Sequence, residues 1–278
     1  MPVRISRTVR CIINPSDGPD SERGVNGFAG KPAMRGLGRY YELTLVAEGK
    51  PDATTGYLIN IKAMDQAVRE GALPTLERAC RDTPAMDPAS LLAPMLSGAI
   101  AALGGPAHTL TLSLTPTYRL TMLDTDRDHV LIRQQFDFAA AHRLHAPSLS
   151  DEANRDTFGR CNNPSGHGHN YRVEPAVWVR TPGEDEGETR FPLDALEAVV
   201  HETIIDPFDH THLDVDRPEF AGGARTSSVE NIARVFYERL RPAIDRASGG
   251  TGELAWVTVW ETDRTSSTYP AQSIAAGV

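Results

Sequence analysis

Residues 161–171 read CNNPSGHGHNY. His167 and His169 are two positions apart, so on an extended strand both imidazoles project to one face and can reach a common ion. Gly166 and Gly168 remove side-chain bulk beside them. A catalytic zinc site takes three protein ligands and keeps a fourth position open. The third ligand is expected from AAAHRLHAP at the end of the preceding strand, where His142 and His145 both stand. His142 continues the alternation of Phe136, Phe138 and Ala140, which puts it on that strand's apolar face. Cys161 sits in a loop rich in Asn, Pro, Ser and Gly, a poor setting for a buried structural thiol.

Three further groups bear on the chemistry. In FDHTHLD (208–214), Asp209 beside His210 suits a carboxylate that orients an imidazole, which in turn tunes a nucleophile or base. Alternatively, Asp209 caps a loop. Ser227-x-x-Glu230 before an apolar helical run has the form of a capping box, in which each side chain satisfies a backbone N–H. Glu261 extends the inward face of Val257 and Val259, where a carboxylate is costly without a partner. Two carboxylate oxygens match the parallel N–H donors of a cyclic amidine or guanidine.

The elements that must position these groups occur twice. GLGRYYELTLVAEGKPDATTGYLINIKAMDQAV reads as strand, turn, strand and helix, and GHGHNYRVEPAVWVRTPGEDEGETRFPLDALEAVV has the same order. A second helix follows in each half (91–103 and 227–240), then a strand (108–115 and 254–262), and a further strand precedes each block (8–14 and 133–141). Such an echo marks an internal duplication. The alternation of Tyr171, Val173, Val177 and Val179 has the period of a half-buried strand, while Leu196, Val199, Val200 and Ile204 follow helical spacing. Helices segregated from antiparallel hairpins give an α+β class. Two units are expected, 1–128 and 129–278, joined where LDTDRDH is polar.

Composition narrows the function. A net charge of −9 argues against a nucleic-acid partner. The start MPVRISRTVRC lacks the apolar core of a signal peptide, and no apolar run has the length of a membrane span, so the expected location is cytoplasmic. Three scattered cysteines make no disulfide framework.

The second half resembles the 6-pyruvoyltetrahydropterin synthase family and its bacterial relative, 6-carboxytetrahydropterin synthase. FDFAAAHRL, CNNPSGHGHNY, DHTHLD, SSVENIA and VTVWET follow the family's order and spacing across roughly residues 133–269. The resemblance implies a T-fold, in which antiparallel sheets from several units close into a barrel on oligomerisation. It implies Zn2+ held by His142, His167 and His169, with His145 a bystander. Cys161 becomes the proton-abstracting thiolate, activated by His210 with Asp209 behind it. Glu261 anchors the pterin ring, with Glu230 and Ser228 near it. The implied substrate is 7,8-dihydroneopterin triphosphate, with Arg143 or Arg160 available to its phosphates, and the product is 6-pyruvoyl- or 6-carboxy-tetrahydropterin. The loop length between Cys161 and His167 favours the pyruvoyl type. Val229 stands where the family has a further hydroxyl.

The first half departs from the pattern. Leu37 and Arg39 stand opposite His167 and His169, Asn14 opposite His142, and Thr115 or Pro116 near the place of Glu261. It reads as a degenerate unit that kept the architecture without the metal ligands. Two other functions compete with the synthase: a non-enzymatic pterin- or metal-binding module, and a dihydropterin aldolase. Retention of Cys161 speaks against the aldolase. The joint presence of His142, Cys161, His167, His169, Asp209, His210 and Glu261 speaks against the module. A homo-oligomer is expected.

Overall fold

A computed structural model of the chain describes residues 1–15, 29–181 and 191–271. The described residues divide into two compact units, 1–132 with 179–181, and 133–178 with 191–271. The expected boundary at 128/129 falls a few residues earlier, inside a strand. The polar stretch LDTDRDH, where the units are expected to join, forms a tight hairpin between β4 (Tyr118–Leu123) and β5 (Asp126–Gln134). Its polarity reflects a turn: Asp124 accepts from the Arg127 guanidinium, and the Asp126 carboxylate meets His129 Nδ1 at 3.0 Å.

In the first unit, β1 (Val3–Ile13), β2 (Arg39–Gly49), β3 (Ala107–Thr115) and β4 form an antiparallel sheet in that order, with β5 beside β4. Alternate residues Leu43, Leu45 and Ala47 are fully buried with Leu110, Leu112, Leu120 and Met122, as period-two patterning requires. The helices follow β2. α1 (Ile61–Ala67) runs through a π turn (Val68–Ala72) into α2 (Leu73–Asp82), and α3 is Leu92–Leu103. The expected second strand at LINI is absent, because Asn60 caps α1 by accepting the Lys62 N–H at 2.9 Å. α1–α2 crosses α3 at Gly71 and Gly98. A Cβ on Gly71 would lie 2.2 Å from the Gly98 carbonyl oxygen, so only glycine permits this approach.

The second unit repeats the order. β6 (Phe136–His142) pairs antiparallel with β7 (His167–Arg180), and β9 (Gly252–Thr262) pairs with β7 and antiparallel with β10 (Thr265–Tyr269). The segment read as one strand over 133–141 is two, β5 and β6, broken at Gln135. After β7 come α5 (Leu193–Val200), a π turn (His201–Ile205) and α6 (Asp206–Phe208). The π turn thus recurs at the same place as in the first unit. The second strand expected between β7 and this helix, in GEDEGETRF, lies almost wholly outside the described residues. Between β6 and β7 lies α4 (Asp151–Phe158), while the two-residue β8 (Thr211–His212), α7 (Leu213–Asp216) and α8 (Val229–Ser248) complete the unit. α8 continues past the expected end at Leu240 and through Pro242, since Ile244 and Ser248 remain buried. The chain adopts the expected α+β class, with the same order of strands and helices in both units.

Candidate metal and pterin site

Strand register assembles the site. β6 and β7 pair with Phe138 opposite Tyr171, Ala140 opposite His169 and His142 opposite His167. Directly opposed residues share a face, as do residues two apart, so one register brings all three imidazoles together. Their ring centroids are 4.6, 5.2 and 4.9 Å apart, and one nitrogen from each lies within 4.8 Å of the others. An aromatic layer fixes the strands beneath: Phe138 stacks on Tyr171 at 5.0 Å and meets Phe236 of α8 at 5.4 Å, and Phe236 meets Phe208 at 4.9 Å. The turn into β7 depends on Gly166. Its φ is +70°, and a Cβ there would lie 2.6 Å from His212 Nε2 and 3.0 Å from the His142 carbonyl oxygen.

The nitrogens fit a cation. His142 is fully buried and its Nδ1 donates to the Ser227 carbonyl at 2.8 Å, leaving Nε2 as a lone pair. That Nε2 lies 3.2 Å from His167 Nε2. Two imidazole nitrogens on one tetrahedral ion are separated by about 3.3 Å when each bond is about 2.0–2.1 Å. His169 Nε2 is buried and has no hydrogen-bond partner. An orphaned buried nitrogen facing a lone pair is costly without a shared ion. Burial pushes the His142 and His169 imidazolium forms down in pKa, outweighing the Ser227 carbonyl at His142 and the Glu261 carboxylate that favours both. Neutral imidazole is the ligating form. Among the described residues this is the one group of three His, Cys, Asp or Glu side chains able to hold a metal ion.

Glu261 closes the site from β9. Its Oε1 is 3.5 Å from His142 Nε2 and 3.9 Å from His169 Nε2, and its side chain is mostly buried. Asp209 and His210 form the expected pair: Asp209 Oδ2 meets His210 Nδ1 at 2.7 Å, and Asp209 Oδ1 accepts the Ala139 N–H at 2.7 Å. The Ala139 N–H, with His210 as the second cause, holds the Asp209 carboxyl below its usual range. His210 has φ +56°, stabilised by its own N–H donating to the Ala139 carbonyl at 2.6 Å, and its ring is largely exposed. His210 and His169 line one cleft of about 550 Å³ with Gly168, Asn170 and Thr211.

Cys161 lies in a 3₁₀ turn (Gly159–Asn162), a free and half-buried thiol. No hydrogen bond joins it to His210 among the described residues; His210 is bonded to Asp209. The turn is held to the segment that follows β6 by Leu144 N–H donating to the Cys161 carbonyl at 2.8 Å. Arg143 is spent on the same turn, its guanidinium donating to the Asn162 carbonyl at 3.1 Å, whereas Arg160 is exposed. His145 Nδ1 accepts from Asn162 Nδ2 at 3.1 Å, away from the triad.

The capping box is corrected. The N-cap of α8 is Ser228, without a side-chain cap bond, and Ser227 Oγ instead donates to Asp214 Oδ1 at 2.8 Å. Glu230 is exposed in the first turn. Sequence reasoning missed Ser227 as the acceptor for His142, and Asp214 behind it. Both lie inside quoted motifs, but only the fold juxtaposes residues so far apart. It also missed the Tyr171 hydroxyl, buried without a hydrogen-bond partner, which burial pushes well above its usual pKa. In the first unit, the Asn14 side chain binds loop backbone at Ala33 and Arg35, and Leu37 is exposed.

Residues 131–272 match the family model for 6-pyruvoyl tetrahydropterin synthase. The human 6-pyruvoyl tetrahydrobiopterin synthase is 36% identical over 143 residues, covering 51% of this chain and 91% of the human one. That of Poecilia reticulata is 42% identical over 107 residues, 38% of this chain and 70% of the relative. The solved structure of the Caenorhabditis elegans 6-pyruvoyl tetrahydropterin synthase is 33% identical, covers 52% of this chain and 96% of that one, and superposes with a TM-score of 0.45. With its matched half carrying the histidine triad, this chain belongs to the 6-pyruvoyl tetrahydropterin synthase family.

Proposed function

We propose that the chain is a zinc-dependent carbon–oxygen lyase that converts 7,8-dihydroneopterin triphosphate to 6-pyruvoyl-tetrahydropterin with loss of triphosphate. The observation that carries this reading is the triad of His142, His167 and His169, with one nitrogen from each converging beside the Glu261 carboxylate. Bound there, Zn2+ supplies Lewis acidity that lowers the pKa of side-chain hydroxyls and of the neighbouring C–H bonds.

The chain's own residues do the rest. Glu261 offers its carboxylate to the amidine-like N–H donors of the pterin ring, as a two-oxygen acceptor. Ser228 and Glu230, at the start of α8, are assigned to the same substrate. Cys161, as thiolate, takes a proton from side-chain carbon. That proton comes from C1′, and the pair left behind moves into the C6=N5 bond, so protonation at N5 and then C6 reduces the ring as the C1′ carbinol becomes a ketone. Loss of the C2′ proton then expels triphosphate by breaking the C3′–oxygen bond, and the resulting enol is reprotonated at C3′. Asp209 holds the His210 ring by its Nδ1, so Nε2 is the atom left to exchange protons. We assign the first unit, residues 1–128, to architecture: its Asn14 is committed to loop backbone and its Leu37 is exposed, where the second unit has ligands. Homo-oligomerisation, which would pair open sheet edges, belongs to the same proposal.

Triphosphate release by zinc-loaded wild-type protein and by Cys161→Ala tests this reading. Turnover by the wild type that falls by at least about 100-fold in the variant supports it. Equal release by both removes Cys161 from the chemistry, and no release by either refutes the lyase.

A further inference from the structure

The carbonyl that orients His142 is itself held in place. Ser227 is fully buried, and its Oγ donates to Asp214 Oδ1 at 2.8 Å while its carbonyl accepts His142 Nδ1 at 2.8 Å. The other oxygen, Asp214 Oδ2, accepts the backbone N–H of Arg143 at 2.7 Å, one residue beyond His142. A single carboxylate therefore clamps both supports of one ligand: the backbone next to it and the residue that bonds its ring. Ser228, the N-cap of α8, makes no side-chain cap bond, and Asn231 Nδ2 holds the neighbouring Thr226 carbonyl at 2.9 Å, so the Ser227–Asp214 bond is the side-chain tether on Ser227 itself. His212 Nδ1 is 3.9 Å from Asp214 Oδ2, too long for a hydrogen bond, so it does not take the carboxylate away from these two donors.

We propose that Asp214, acting through Ser227, is a positioning residue. It keeps His142 in the tautomer with its proton on Nδ1 and its Nε2 lone pair aimed at His167 and the ion. This rests on the metal-site reading given above. Without the tether the carbonyl drifts, and a neutral imidazole free of that acceptor is no longer held to one tautomer or one ring angle. Outer partners of metal-binding histidines typically change affinity by roughly 10–100-fold.

The test uses the full chain, stripped of metal, in wild-type, Asp214→Asn and Ser227→Ala forms. Ser227→Ala keeps the carbonyl and removes only the tether. Asp214→Asn leaves one acceptor oxygen for two donors. Two quantities are read: Zn2+ affinity by competition with a chromophoric chelator, and the His142 tautomer from ¹⁵N imidazole spectra of the metal-free protein. The expected result is a single Nδ1–H form and tight Zn2+ binding in the wild type, with about 10–100-fold weaker binding and mixed tautomers in both variants. A lower melting temperature with unchanged affinity and an unchanged tautomer would make the residues merely structural and overturn the proposal. Should Asp214→Asn fail to fold, Ser227→Ala decides on both readouts. If the wild type takes up no Zn2+, the metal-site reading fails, and the tautomer spectra still decide whether the clamp positions His142.

Discussion

Gly166→Ala should damage both stability and metal binding, by separable amounts. Placing an L residue at φ +70° costs about 1–2 kcal/mol. The new Cβ also meets two atoms. His212 Nε2 at 2.6 Å is the end of a side chain and can swing away, but the His142 carbonyl oxygen at 3.0 Å belongs to a paired strand. Relieving that second contact moves the backbone that carries two ligands and adds about 1–2 kcal/mol. The total is about 2–4 kcal/mol. Gly249→Ala isolates the backbone cost, since Gly249 caps α8 at φ +60° with nothing within 4 Å of its would-be Cβ. At about 2–4 °C per kcal/mol, Gly166→Ala should melt roughly 2–8 °C below Gly249→Ala in calorimetry of metal-free protein. Only Gly166→Ala should weaken Zn2+ in chelator competition. Equal melting of the two variants, or wild-type Zn2+ affinity in Gly166→Ala, would refute the claim that this turn is shaped by the ligands around it.

Phe138→Ala removes the ring stacked on Tyr171 and packed on Phe236, and should cost about 3–5 kcal/mol in thermal or denaturant unfolding. Because burial depresses the His142 and His169 pKa values below the unfolded 6.5, the unfolded chain binds protons there first as pH falls. Metal-free protein should therefore lose stability progressively as pH falls below about 6.5; a fall in melting temperature between about pH 7.5 and 5 that is shallower in His142→Ala than in wild type, and shallower again when His169 is also replaced by Ala, would confirm the source. Asp209→Asn should preserve the Ala139 N–H bond through its remaining carbonyl yet present an amide donor to His210 Nδ1, reversing the tautomer. The expected loss is about 10²–10⁴-fold in kcat with little change in KM, read by steady-state triphosphate release.

How much was legible in the sequence follows from the range of each signal. The triad was readable because His-x-His on a strand and a histidine ending the preceding strand need only period-two geometry and one hairpin-like register. The duplication was readable as repeated order, and it extends to a π turn in each unit that no composition betrays. Competition for hydrogen-bond partners decided the errors. The apolar residues Leu58, Ile59 and Ile61 of LINI read as strand, yet Asn60 among them caps a helix. Ser227-x-x-Glu230 has the form of a capping box, but a carboxylate 13 residues upstream, Asp214, takes the Ser227 hydroxyl. Arg143 looked free for phosphate and is engaged with Asn162. The capping box and Arg143 share one cause, a distant partner outcompeting the local or solvent-facing role, which a single sequence does not display.

The central claim is tested most directly by mass spectrometry of the pterin formed when zinc-loaded protein meets 7,8-dihydroneopterin triphosphate. The account predicts 6-pyruvoyl-tetrahydropterin with stoichiometric triphosphate, abolished by removing the metal. Unchanged substrate in the presence of protein-bound Zn2+ would contradict it and leave a binding module, and a 6-carboxy product with released acetaldehyde would contradict the assigned product while keeping the site.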